Sequence, residues 1–123
     1  MGSSFTAPVI SAAGMGAGAR LQVAHSEQAV QSYLLTRLRM LGGWWTNTQG
    51  GVSVHRGTPD ILGVYNGRFY GVEVKRLDGR VSEIQRYVLD EIKKAGGEAL
   101  VVKGMGEARA LADSLAERKS SGR

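Results

Sequence analysis

The dipeptide Asn66-Gly67 constrains the fold of this chain more than any other feature. It separates Asp60-Ile61-Leu62-Gly63-Val64-Tyr65 from Arg68-Phe69-Tyr70-Gly71-Val72-Glu73-Val74-Lys75, two runs dominated by β-branched and aromatic residues. Asn-Gly between such runs predicts a two-residue type I′ hairpin, because both central positions of that turn need φ > 0. A turn of fixed length also sets the register: Tyr65 faces Arg68, and counting outward places Asp60 opposite Glu73. Their Cβ atoms should then lie on one face about 4.5–5.5 Å apart. Lys75 is two residues beyond Glu73, so it points to that face about 7 Å along the strand.

Like charges directly opposite one another are destabilising unless something neutralises them. Two ordinary explanations are open: the acids face solvent on a half-exposed hairpin, or Lys75 is their structural ion-pair partner. Phe69 and Gly71 share the face of Glu73, while Tyr70, Val72 and Val74 line the other. Both faces are thus partly apolar, as in a covered sheet, and a solvated charge cluster fits that poorly. A divalent cation fits better, because Mg²⁺ is commonly held by one or two carboxylates together with substrate phosphate and water.

The flanking elements follow from periodicity and stop signals. Ser26 is an N-cap candidate for a helix reaching Leu41, with Val30, Leu34, Leu38 and Leu41 on one stripe and Gly42-Gly43 after it. Trp44 to Thr48 reads as a strand, Gln49-Gly50-Gly51 as a turn and Val52-Ser53-Val54 as a short alternating piece. A second helix runs from Ser82 to Ala95 with Ile84, Val88, Ile92 and Ala95 as its apolar stripe. Glu98 to Val102 is a strand, and Glu107 to Glu117 is a last amphipathic helix. The order α-β-β-β-α-β-α belongs to the α/β class. Residues 25–118 form the expected domain. Residues 1–24, rich in Gly and Ala with one charge at Arg20, read as a disordered arm or a partner-binding tail, and 119–123 as a frayed end. No basic start leads into a long apolar block, so no secretory signal is expected.

Composition narrows the partner. With 16 Lys+Arg against 11 Asp+Glu, a net charge of +5 on 123 residues suits a polyanion, most simply nucleic acid. The absence of Cys excludes thiolate metal sites and a Cys nucleophile, and it fits a cytosolic compartment. No apolar run approaches the roughly 18 residues of a membrane span. Gly14-Met15-Gly16 neither follows a strand nor opens a helix, so no nucleotide cofactor is expected.

Several side chains carry two readings each. Glu27 lies within about 25° of the centre of the first helix's apolar stripe at 100° per residue. There it needs a partner, unless its position in the first turn simply complements the helix dipole. Ser82-x-x-Gln85 fits a capping box, and a functional role for Gln85 comes second. Arg56, Arg76, Arg80 and Lys93-Lys94 are candidate phosphate contacts or plain solvated charges. His25 and His55 lack metal-ligand spacing; His55, close before Asp60, could touch phosphate, but a surface histidine is the first reading. Trp44 and Trp45 could stack on unpaired bases, but alternation favours one buried in the core and the other covered by the arm or a second subunit.

Thr58-Pro59-Asp60 followed through the hairpin by Glu73-Val74-Lys75 resembles the PD-(D/E)XK nuclease signature. With Glu27 on the first helix, Gly57-Thr58-Pro59-Asp60 and Ser82-x-x-Gln85, the chain is similar to the virus-type replication-repair nuclease (VRR-NUC) branch over about residues 26–103. The resemblance implies a restriction-endonuclease-like αβββαβ core, a mixed central sheet flanked by helices, followed here by a C-terminal helix. It implies that Asp60, Glu73 and the Val74 carbonyl bind Mg²⁺ or Mn²⁺, with Glu27 completing or orienting the site. Lys75 would orient or activate the attacking water, and Gln85 would help hold that water or Lys75, a task only partly compatible with the capping box.

The expected activity is metal-dependent hydrolysis of DNA phosphodiesters, selective for branched or Holliday-junction-like structure and carried out by a homodimer. The resemblance places it in the cytoplasm of a bacterial or phage-infected cell. The rival is a catalytically inactive nucleic-acid-binding module on the same fold. A third possibility is an interaction protein whose basic surface docks another protein.

Overall fold

The computed structural model describes residues 25–49 and 55–120. Seven elements follow in the expected order: α1 (Glu27–Leu41), β1 (Trp44–Asn47), β2 (Ile61–Tyr65), β3 (Arg68–Lys75), α2 (Glu83–Lys94), β4 (Glu98–Lys103) and α3 (Gly104–Ser120). The arm at 1–24, the piece at 52–54 and positions 121–123 lie outside the described residues. No helix among the described residues is long and apolar enough to cross a membrane.

The Asn-Gly turn forms as its chemistry requires, with φ of 52° at Asn66 and 78° at Gly67. β2 and β3 pair antiparallel from Tyr65↔Arg68 to Ile61↔Val72. β1 adds antiparallel to β2, and β4 adds parallel to β3, giving one mixed sheet in the order β1-β2-β3-β4. The parallel pair requires a crossover, and α2 provides it.

α1 and α3 cover one face of the sheet. Val30, Leu34 and Leu38 of α1 pack with Leu111, Ala112 and Leu115 of α3 over Ile61, Tyr65, Tyr70, Val72, Val74 and Val102. Ser26 caps α1 by accepting a hydrogen bond from the Ala29 N–H at 3.0 Å. Trp45 joins this core and Trp44 does not: the former is 3% exposed and the latter 62%. Trp45 pairs across the strands with Gly63, and its indole lies where a Cβ on residue 63 would stand. The ring then reaches Tyr70 at a centroid distance of 5.6 Å. Trp44, Val64 and Phe69 occupy register-matched positions on the opposite face and stay exposed.

Two expectations change. In α2 the stripe Ile84/Val88/Ile92/Ala95 is not the buried one. Leu89 is the buried residue, and Ile84 remains 39% exposed. The helix meets the sheet through Leu89 and Ile92, with Ile92 lying against the bare backbone of Gly71 and Gly97, so its contact line is turned from the sequence stripe. α3 begins at Gly104 rather than Glu107 and runs to Ser120. The Glu107 carboxylate accepts the Lys103 N–H at 2.7 Å, which holds the chain in a helical turn across Gly104-Met105-Gly106.

Candidate active site

The strand that carries Asp60 is anchored from outside the hairpin. The Thr48 N–H donates to the Asp60 carbonyl at 2.9 Å, and the Thr48 hydroxyl donates to the Pro59 carbonyl at 2.9 Å. Buried Pro59 lies close to Gly71, where a Cβ would meet both its ring and Ile92. Asp60 is thereby held just before β2, and one carboxylate oxygen accepts the Val74 N–H at 2.8 Å. That bond spans the hairpin at the level of Glu73, where the register places it.

Glu73 is only 2% exposed and is ringed by named partners. Its Oε2 accepts from the Gln85 amide nitrogen at 2.9 Å and lies 3.6 Å from the Lys75 ammonium. Its Oε1 is buried with no hydrogen-bond partner. Burial of a carboxyl group disfavours its charged form, and the neighbouring Asp60 charge adds to this. Together they push the Glu73 pKa up to about 7 against the opposing pull of Lys75. Asp60 is raised as well, first by burial, while the Val74 N–H opposes the shift.

Glu27 and Gln85 both reach this cluster. Glu27 is half-buried at the start of α1, its carboxylate accepts the Arg76 N–H at 3.4 Å, and its charge is felt at Asp60. Its place on the stripe thus brings it to the end of β3. Gln85 serves the helix cap and the carboxylate together, using different atoms. Its oxygen accepts the Ser82 N–H at 2.9 Å, completing the capping box, and its nitrogen holds Glu73. The cap therefore leaves the nitrogen free for Glu73, which removes the expected conflict.

No protein-family model matches the chain, and no curated protein matches it. Comparison with solved structures finds a VRR-NUC domain at a TM-score of 0.59 and 24% sequence identity, covering 72% of this chain and 97% of that one. The fold is that of a VRR-NUC domain.

On this VRR-NUC fold the site presents two carboxylates side by side, Asp60 and Glu73, at the end of the hairpin. Among the described residues, no three His, Cys, Asp or Glu side chains gather closely enough to hold a metal ion alone. The carboxylates gathered here are Asp60 and Glu73, with Glu27 set back on the Arg76 amide. A buried anionic oxygen without a donor is costly, and a divalent cation with water and phosphate oxygens is the kind of group that relieves it.

The three predicted phosphate contacts separate. Arg80 is exposed beside β4, Arg76 pairs with Asp78 at 3.5 Å, and Arg56 lies on the far side of α2 near Ile84 and Tyr87. His55 accepts a hydrogen bond at its carbonyl from the Thr58 hydroxyl, closing the turn before Asp60. Thr48 was not singled out by sequence pattern. Its role depends on the β1–β2 register, and no short turn announces that register across the long connection from Gln49 to Asp60.

Proposed function

We propose that this protein is a metal-dependent endonuclease that hydrolyses DNA phosphodiester bonds. The observation that carries the proposal is the buried, partly unpartnered Glu73 carboxylate, set between Asp60 and the Lys75 ammonium. A module that merely binds nucleic acid has no use for opposed acids held out of water beside a lysine. The VRR-NUC fold and the intact Asp60, Glu73-Val74-Lys75 and Gln85 pattern support the same reading.

Mg²⁺ or Mn²⁺ would be held by Asp60, Glu73 and the Val74 carbonyl. A divalent cation supplies Lewis acidity toward the phosphate and lowers the pKa of nearby water. The protein's own groups do the rest. Gln85 fixes the Glu73 carboxylate and keeps one oxygen turned toward Lys75. Lys75, only 14% exposed in its side chain, places a positive charge where negative charge grows on the phosphate, in surroundings that strengthen it. Glu27 steadies the backbone at Arg76, next to Lys75.

In this reading the substrate is recognised by DNA structure, such as branched or Holliday-junction-like forms. Cutting two strands calls for a symmetric dimer with two sites. The test is a cleavage assay on linear, flap and four-way DNA with Mg²⁺ or Mn²⁺, beside Lys75→Ala and Asp60→Ala. Cleavage by the wild type that both variants lose is expected. Full activity in either variant would overturn the site assignment, and DNA binding without cleavage of any substrate would favour the inactive module.

A further inference from the structure

The basic side chains of the described residues divide into two groups. Most are engaged: Arg37 with Asp113, Arg68 with Glu98, Lys75 with Glu73, Arg76 with Asp78 and Lys94 with Glu91. Arg39 donates to the Trp45 carbonyl, Arg109 lies over the Tyr33 ring, and Arg118 donates to the Tyr70 hydroxyl. Arg56, on the far side of α2, and Arg80, Arg86, Lys93 and Lys103 have no ion pair within the 4.0 Å salt-bridge distance. The last four line one open groove of about 750 Å³.

The position of the groove gives the clustering its meaning. Its floor is Leu89 of α2 with Ala99 and Val101 of β4. The register pairs Glu73 with Val101 and Lys75 with Lys103, so these β4 residues lie on the candidate site's face of the sheet. Adjacent strands stand about 4.8 Å apart, which brings the groove directly beside the carboxylates. Arg86 follows Gln85, the residue that grips Glu73, so α2 carries one groove cation next to a residue of the site. Lys93 lies seven residues further on, two helical turns or about 10 Å along the same side of α2. Two acids also line the groove: Glu107 is buried on the Lys103 amide, and Asp78 stands exposed at the rim paired with Arg76, so cations outnumber exposed acids there four to one.

We propose that the groove between α2, β4 and the 77–81 turn is a backbone track, which receives the phosphates on one side of the scissile bond through Arg86, Lys93, Arg80 and Lys103. This rests on the endonuclease reading for its orientation and adds the path of the strand and the residues that hold it. Arg86 and Lys93 were not expected to act together, and the track gives both a shared function.

The test compares Arg86→Ala/Lys93→Ala with Arg68→Ala/Lys94→Ala, which removes the same formal charge from positions outside the groove; Lys94, a phosphate candidate by sequence, pairs instead with Glu91. All four residues are exposed, and thermal melting checks that both variants remain folded. Affinity for a labelled 30-mer, single-stranded and duplex, is measured in Ca²⁺ buffer across a salt series, and cleavage is followed separately in Mg²⁺ or Mn²⁺. The groove variant should weaken binding about tenfold and flatten the log–log salt slope by about 1.4 on single strands and 1.8 on duplex, with KM raised and kcat unchanged. The control variant should move neither quantity by more than about twofold.

An unchanged slope in the groove variant overturns the proposal, as do equal losses in the control or a wild type without salt-dependent binding. A wild type that binds through the groove but cuts nothing leaves the track standing and removes the endonuclease reading. Normal cleavage with an unchanged KM in the groove variant removes the track alone.

Discussion

At the scale of single residues, Gln85 is where helix stability and the site meet. One amide closes the capping box through its oxygen and holds Glu73 through its nitrogen. The two roles can be separated by mutation. Ser82→Ala removes the other half of the cap and should cost about 1 kcal/mol in denaturant titration while leaving metal affinity unchanged. Gln85→Ala should also weaken metal binding or cleavage by about 10–100-fold, as loss of a group that orients a ligand does.

Glu73 gives a prediction in pH. Its folded pKa stands near 7, above the 4.5 of an ordinary glutamate, so between those values the folded chain holds more protons than the unfolded one. Its contribution to stability is therefore present at low pH and is lost as pH rises through that window. Asp60, also raised, acts in the same direction. Without metal, the melting temperature of wild type relative to Glu73→Gln should fall between pH 5 and 7.5. A difference that does not change with pH would contradict the buried, cation-seeking carboxylate.

At the scale of elements, the sheet is shaped by bare backbone as much as by side chains. Gly63 leaves room for the Trp45 indole to cross β2 and meet Tyr65 and Tyr70. A methyl group there would collide with the ring and with the Trp44 carbonyl, so Gly63→Ala should destabilise by about 1–3 kcal/mol in denaturant midpoint. Gly71 does the same for Ile92 and Pro59 on the other face, and through Pro59 it bears on the placement of Asp60. The hairpin register was legible because a two-residue turn admits one pairing. The buried side of α2 was not legible, because Ile84, Val88 and Leu89 are equally apolar and only the docking angle decides which of them meets the sheet.

At the scale of the molecule, the site depends on parts distant in sequence. α1 brings Glu27 to the end of β3, α2 brings Gln85, and the turn before β2 brings Asp60. A cation bound to this assembly but not to the unfolded chain should stabilise it by about 2.7 kcal/mol at one hundred times its dissociation constant. Thermal melting with Mn²⁺ or Mg²⁺ against chelator reads this directly, and Glu73→Ala should abolish the shift.

The sequence by itself determined the element order, the hairpin and the facing of Asp60 and Glu73, because turn length and the two-residue strand period are local properties. It also carried the alternation that sets one tryptophan in the core and turns its neighbour to the other face, since neighbouring strand residues point to opposite faces. Tertiary structure alone decided that Gln85 could serve the helix cap and Glu73 together and that Thr48 anchors the strand of Asp60. It also decided that four unpaired cations would line one groove beside the acids. Those outcomes depend on the docking angle of α2 and on the pairing of β1 and β4 with the hairpin, which are set by packing between distant segments rather than by any local pattern.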